Sequence, residues 1–251
     1  MRTRARLGLF AVAGPGLGAV LLIGVLGLPA FGDYNGIYGL LLDRFEVSLR
    51  HATDIVTALN FDIRAFDTLG EEFILFTSVA GVALLLRQIR EEAEGERAQG
   101  VKDHSFAGAS TLLGTVALVL IPLIVALGCY VVLHGALTPG GGFQGGVVLA
   151  AGPLAILLGG RYLMMKRLAP ETAVETLESV GAAGYTLMGI GGLIFAAVFF
   201  ENFLPLGQPG HLLSAGTMPI NSVAVGIEVT GAFLLTWTEF LDQALISAPG
   251  Q

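Results

Sequence analysis

Five side chains in this 251-residue chain are of a type, and in a setting, to carry protons or cations: Asp67, Glu71, Glu72, His134 and Glu228. Glu228 stands in Val225-Gly226-Ile227-Glu228-Val229-Thr230-Gly231, near the middle of an apolar run. A carboxylate at the centre of a bilayer costs several kcal/mol unless it is hydrated, paired or protonated, so such a residue is a functional-site hypothesis by default. Its plainer alternative is a protonated glutamate that fixes helix packing. Asp67, Glu71 and Glu72 open a second apolar run, in Arg64-Ala65-Phe66-Asp67-Thr68-Leu69-Gly70-Glu71-Glu72. Asp67 and Glu71, four apart, share a helix face. Asp67 also suits the start of a helix, where its side chain can cap and the dipole favours an acid. That explains Asp67 better than Glu71 or Glu72, which begin to enter the apolar region. His134 could relay a proton, or serve as a hydrogen-bonded residue at a membrane interface. Glu201, Glu239 and Asp242 stand near the ends of apolar runs and read as solvated.

The segment from His134 to Gly146 is unusual in a different way. After Thr138 and Pro139 come Gly140, Gly141, Gly142, Phe143, Gln144, Gly145 and Gly146, five glycines in seven positions. Helix propensity gives no reason for them. Close backbone approach or unusual dihedrals do. Thr138 suits a helix N-cap and Pro139 a first helical residue. Gly142 and Gly146 then lie on one face as a close-packing pair. Free N–H groups at such a helix start could take an anion. A nucleotide loop is excluded, because no Gly-Lys-Ser/Thr follows and no strand precedes.

The elements that carry these residues are membrane helices. The sequence is 54% hydrophobic and only 13% charged, with a mean hydropathy of +0.76. A soluble domain carries about 25% charged residues. Burial in a core cannot account for the difference, whereas a bilayer solvates apolar side chains from outside. Six runs reach the roughly 20 residues needed to cross about 30 Å of hydrocarbon: 7–31, 68–87, 107–133, 141–163, 179–200 and 219–241. Alternation from a cytoplasmic N-terminus places ten of the 13 Lys and Arg residues inside, so both termini are expected in the cytoplasm. Between the first two runs, Ile37 to Leu59 mixes apolar with charged residues. It reads as one or two amphipathic helices on the membrane surface or on a partner. The charged stretch from Gln88 to Ser105 divides a front part, 1–100 with two helices, from a rear part, 101–251 with four. The net charge of −7 excludes a nucleic-acid surface. The single cysteine, Cys129, permits no internal disulfide or cysteine metal cluster and reads as packing. No redox or metal motif is present, and no cofactor is expected. The fold class is all-α, a polytopic membrane protein of about six spans.

From about 105 to 245 the chain resembles the MnhB family, the B subunit of Mrp-type multisubunit Na⁺/H⁺ antiporters. The resemblance rests on Tyr130-Val131-Val132-Leu133-His134-Gly135 and on Thr138-Pro139-Gly140-Gly141-Gly142-Phe143-Gln144-Gly145-Gly146-Val147-Val148. It continues in Asn202-Phe203-Leu204, Gly210-His211-Leu212-Leu213-Ser214-Ala215-Gly216 and Pro219-Ile220-Asn221-Ser222-Val223-Ala224-Val225-Gly226. The front part, through Phe61-Asp62-Ile63-Arg64-Ala65-Phe66-Asp67-Thr68-Leu69-Gly70-Glu71, looks like the C-terminal tail of the antiporter A subunit. That tail corresponds to a separate small subunit in related membrane-bound hydrogenases. The resemblance implies a fusion of the two modules, in the cytoplasmic membrane of a bacterium or archaeon. It also implies A-, C- and D-type membrane subunits as partners and Na⁺ and H⁺ as the ions handled. It puts Asp67 and Glu71 at the family's acidic motif, and Pro139 and Phe143 in its glycine-rich motif. The function expected is a subunit of a cation/proton antiporter, not itself an enzyme. The alternatives are the same module in a respiratory complex such as a membrane-bound hydrogenase, and a scaffold with no titrating role.

Overall fold

The computed structural model describes residues 3–28, 30, 36–94, 111–159 and 162–247. Within them the chain is helical, without strands. In order the elements are α1 (Thr3–Leu26), α2 (Ile37–Arg50), α3 (Ile55–Ala58), a π-helical turn (Leu59–Ile63), α4 (Ala65–Glu94), α5 (Thr111–Leu133), α6 (Gly142–Leu158), α7 (Tyr162–Leu168), α8 (Glu171–Ala196) and α9 (Met218–Ser247). Ala65–Arg87, Leu112–Leu133, Glu171–Ala196 and Met218–Gln243 are long and apolar enough to cross a membrane, and Phe10–Leu26 and Gly142–Leu158 are shorter apolar helices. Each of the six expected runs thus coincides with a helix in its described part, with shifted ends, and four of these helices are of spanning length. The largest shift is in α8, which starts at Glu171 rather than at 179.

The chain forms two compact units, Met1–Leu41 and Leu42–Gln251. The first contains α1, with Pro15 inside the helix. The second is built around α9. Two-thirds (67%) of the apolar stretch of α9 is buried, against 17–22% for α4, α5 and α8. The hydrophobic effect cannot drive apolar helices together in lipid, so this axis needs close packing instead. Glycines supply it. A Cβ added at Gly142 would strike the Ser222 carbonyl and meet Val225 Cβ at 2.7 Å; one at Gly146 would meet Val229 Cβ at 2.8 Å. The expected glycine pair thus lies on α9. On its other side α6 meets α5, where a Cβ at Gly145 would lie 2.8 Å from the Gly128 carbonyl. Gly142→Leu is expected to lower recovery of folded protein far more than Leu149→Ala, because Leu149 is only half-buried and trimming it forces nothing apart. Equal recovery in detergent extracts would show that the α6–α9 contact is loose.

The helix start differs from the expected one. Thr138 and Pro139 lie in a turn, and α6 begins at Gly142 with Gly141 as N-cap. The cause is the return of the chain onto α5: Gly141 N–H donates to the Val131 carbonyl at 3.1 Å. Gly141 also has φ 121° and ψ −177°, a conformation that only glycine takes without strain. The start of α6 faces α9 closely, not as an open anion site.

The amphipathic segment resolves into α2, α3 and the π turn. Asp54 caps α3, its Oδ2 accepting from Thr57 N–H at 2.9 Å. Thr53 and Asp54 N–H groups donate to the Ala136 carbonyl at 3.1 and 3.3 Å, and Thr53 Oγ1 donates to the Leu137 carbonyl at 2.7 Å. His51 donates from Nδ1 to the Gly207 carbonyl, 2.7 Å away. The π turn leaves carbonyls for side chains: Thr68 Oγ1 donates to Asn60 (2.8 Å) and Asn221 Nδ2 to Phe61 (3.3 Å). Residues 51–64 are thereby tied to the glycine turn and to α9. The compact unit from Leu42 onward includes residues on both sides of the expected module boundary near residue 100; residues 95–105 of the charged linker lie outside the described residues.

Candidate functional site: a buried carboxylate cluster

Two helices carry the same four-residue pattern. Glu178-Ser179-Val180-Gly181 is on α8 and Glu228-Val229-Thr230-Gly231 is on α9. The place of a Cβ on Gly181 is taken by the Glu228 backbone, with Cα at 2.6 Å; the place of one on Gly231 is taken by Glu178 N and by the Val174 carbonyl at 2.8 Å. The reciprocal matching, 178 with 231 and 181 with 228, makes the helices antiparallel. It brings their backbones together beside both glutamates. On the remaining side α4 supplies Glu72. The three carboxylate residues are 3% (Glu178), 0% (Glu228) and 5% (Glu72) exposed.

Glu228 interacts electrostatically with both Glu72 and Glu178, and Glu72 comes within side-chain hydrogen-bonding range of Glu228. Both Glu228 oxygens, Glu72 Oε2 and Glu178 Oε1 are buried without a hydrogen-bond partner when all three groups are acceptors only; a proton on one carboxyl of the Glu72–Glu228 pair supplies the donor that the pair otherwise lacks. Among the described residues no cationic side chain pairs with any of the three. Nor does any group of three His, Cys, Asp or Glu among them form a preset metal cage. Unpaired carboxylates in a low-dielectric site are costly as charges, and uptake of a proton removes that cost.

Charge pairs close the cluster at both ends. Arg87, at the end of the α4 span, reaches Glu239 (Nε, 2.5 Å), Glu175 (Nη1, 2.6 Å) and Glu171 (Nη2, 3.0 Å). Glu175 is one helical turn from Glu178, so acids 171, 175 and 178 follow one face of α8. Lys166 holds Asp242 at 2.8 Å. Glu239 and Asp242 are only 2% and 7% exposed, which corrects the expectation that they are solvated: α9 runs on to Ser247, and basic residues from α4 and α7 draw both acids inward. Arg87→Ala is expected to destabilise the bundle by about 3 kcal/mol, as removal of the shared cation of a buried ion pair does. Glu175→Gln, at a half-exposed arm, should cost under about 1 kcal/mol. Detergent-solubilised thermal denaturation of both variants checks the order.

At the opposite end Arg50 Nε pairs with Asp62 at 2.7 Å and its Nη2 approaches Glu201 at 3.5 Å. Burial pushes the Asp62 carboxyl above the usual carboxylate range, with Arg50 opposing. Burial, reinforced by Asp62, likewise raises Glu46.

Of the residues singled out from sequence, Glu228 and Glu72 meet. Glu71 is exposed. Asp67 is also exposed and pairs with Arg64, whose Nε lies 2.6 Å from its Oδ2. His134 stacks on Tyr130 with ring centroids 4.3 Å apart, and its buried Nδ1 has no partner. It is not among the groups that act on Glu228. The glycine motif forms the α5–α6–α9 seam, with Phe143 edge-on to Phe233 at 6.2 Å; Pro139, Gly140 and Gln144 are at its rim. Cys129 is exposed, against the expectation of packing. Sequence reasoning missed Glu178, because the α8 span was begun at 179. The repeated Glu-x-x-Gly was the available signal.

Residues 112–235 match a family described as a domain related to the MnhB subunit of Na⁺/H⁺ antiporter. An uncharacterized protein of Methanocaldococcus jannaschii is 32% identical over 215 residues, covering 76% of this chain and 80% of that protein. Among solved structures, a chain of the membrane-bound sulfane sulfur reductase, an archaeal respiratory membrane complex, superposes with a TM-score of 0.70 at 28% identity, covering 94% of this chain and 98% of that one. A chain of the Mrp complex from Dietzia sp. DQ12-45-1b shares the fold at a TM-score of 0.69 and 23% identity, covering 95% of this chain and 26% of that one.

Proposed function

Since the chain belongs to the family of domains related to the MnhB subunit of Na⁺/H⁺ antiporters, we propose that it is a membrane subunit of a multisubunit cation/proton-translocating complex. In this reading Glu72, Glu178 and Glu228 form a station on its ion path. The observation that carries the proposal is the burial of three carboxylates, Glu72 and Glu178 each beside Glu228, with unpartnered oxygens. A scaffold has no use for them, since apolar residues would pack the same helices at lower cost. A station that alternates between protons and a cation needs acceptors without fixed partners. The acids on α8 between Arg87 and Glu178 offer one approach to it. The subunit itself performs no covalent chemistry; it moves charge.

A second reading places the same module in a redox-driven respiratory complex. It is favoured by the match to the sulfane sulfur reductase chain over 98% of that chain's length. The two readings differ in partners. Purification of the native complex through a tag on this chain, followed by subunit identification, separates them. A- and D-type membrane subunits alone support a stand-alone antiporter, and an accompanying iron–sulfur or nickel–iron protein supports the respiratory complex. Recovery of this chain alone would overturn both.

A further inference from the structure

Glu71 is the neighbour of Glu72 on α4 but points the other way. Glu72 is buried against α9, whereas Glu71 is exposed. It lies six residues inside the span Ala65–Arg87, about 9 Å along the helix axis. Its helix face continues through Ile74 and Ser78, both exposed. Among the described residues no cation reaches Glu71: Arg64 is engaged by Asp67, and Arg87 by the acids of α8 and α9 at the far end of the span. An exposed carboxylate at this depth cannot face lipid tails without a heavy cost. The same face has room for a helix. A Cβ added at Gly70 or Gly81 would meet nothing within 4 Å, and small residues let a second backbone come close. The chain's own α1 has no basic residue after Arg6, so it offers no cation within the membrane.

We propose that the outward face of α4 around Glu71 docks a transmembrane helix of a neighbouring subunit, which presents a lysine or arginine to the Glu71 carboxylate. The proposal rests on the reading of this chain as one subunit of a complex. The cation neutralises Glu71 where lipid cannot, and it also offsets the repulsion between Glu71 and Glu72. In some systems a buried polar or ionic group fixes which helices associate and in what register, and breaking such a pair by removing one partner is strongly destabilising.

The test uses the intact complex in native membranes. A photoreactive benzoylphenylalanine replaces Ser78, one face-repeat beyond Glu71, and in a control replaces Leu187, an exposed position on α8 (63%). The Ser78 adduct is expected with another subunit of the complex, at a transmembrane segment carrying Lys or Arg. Glu71→Lys is expected to strip that subunit from the complex on a native gel. Changing the partner's basic residue to Glu should restore it. Adducts only with lipid or with α1, a partner segment without Lys or Arg, or an intact complex in Glu71→Lys would each overturn the inference. A chain that purifies without any partner counts against the proposed function instead, so the two failures are distinguishable.

Discussion

Glu228→Gln is expected to leave the complex assembled and to cut its Na⁺-induced proton movement by about tenfold or more, equivalent to about 1.4 kcal/mol in a barrier. Glutamine keeps the volume and the hydrogen-bonding reach of glutamate but cannot titrate, so it separates charge transfer from packing. Glu228 is the member of the cluster with the least access to solvent, 0% exposed, and it alone faces both of the others. Its loss should therefore interrupt the station whichever neighbour hands on the charge. Glu178→Gln should impair movement in the same direction. Glu228→Asp, which titrates at shorter reach, should retain part of it. Asp67→Asn should change little, since Asp67 is exposed and paired with Arg64. The measurement is complex yield and Na⁺-induced pH change on the same inverted vesicles. Full activity in both glutamine variants would leave this subunit as a scaffold, with the ion path elsewhere in the complex.

The parts legible from sequence are those governed by one-dimensional signals. Hydropathy located the four helices of spanning length and the two shorter apolar ones, because lipid imposes a minimum apolar length. Depth in a run marked Glu228. The glycine cluster after Pro139 announced a tight seam, and Gly142 and Gly146 lie on one. What failed depended on three-dimensional partners. The α8 span looked shorter than it is because Glu171, Glu175 and Glu178 depress local hydropathy. Two of the three are pinned by Arg87, 84 and 88 positions earlier in the chain. Glu239 and Asp242 looked solvated for the same reason, since nothing local foretells that Arg87 and Lys166 reach them. The adjacent acids Glu71 and Glu72 could not be told apart until α9 fixed which face of α4 is inward. The break at the π turn was also invisible, because its carbonyls are satisfied by Thr68 and by the distant Asn221.

Gly181→Ala and Gly231→Ala test the seam that creates the cluster, and each is expected to destabilise it severely for the addition of one methyl group. In both cases the obstacle is backbone. The new Cβ at 181 would fall on Glu228 N and 2.6 Å from its Cα, and that at 231 would lie 2.5 Å from Glu178 N. Backbone of a packed helix cannot swing away as a side-chain tip can, so α8 and α9 must separate. Overpacking typically costs 1–3 kcal/mol, roughly, and more where the neighbour cannot shift. A control lies one turn along the same helix. A Cβ at Gly184 would meet Ala224 Cβ at 3.5 Å, an ordinary contact, and alanine gains up to about 1 kcal/mol of helix propensity over glycine. Gly184→Ala should therefore be neutral or stabilising while Gly181→Ala is not, although the two substitutions are chemically identical. The readouts are thermal stability and subunit retention in detergent. Separation of the helices also moves Glu178 away from Glu228, so Gly181→Ala protein that still assembles should lose ion-coupled proton movement out of proportion to its yield. Equal behaviour of the 181 and 184 variants would mean that the helices do not touch at the glutamates, and the carboxylate cluster would lose its structural basis.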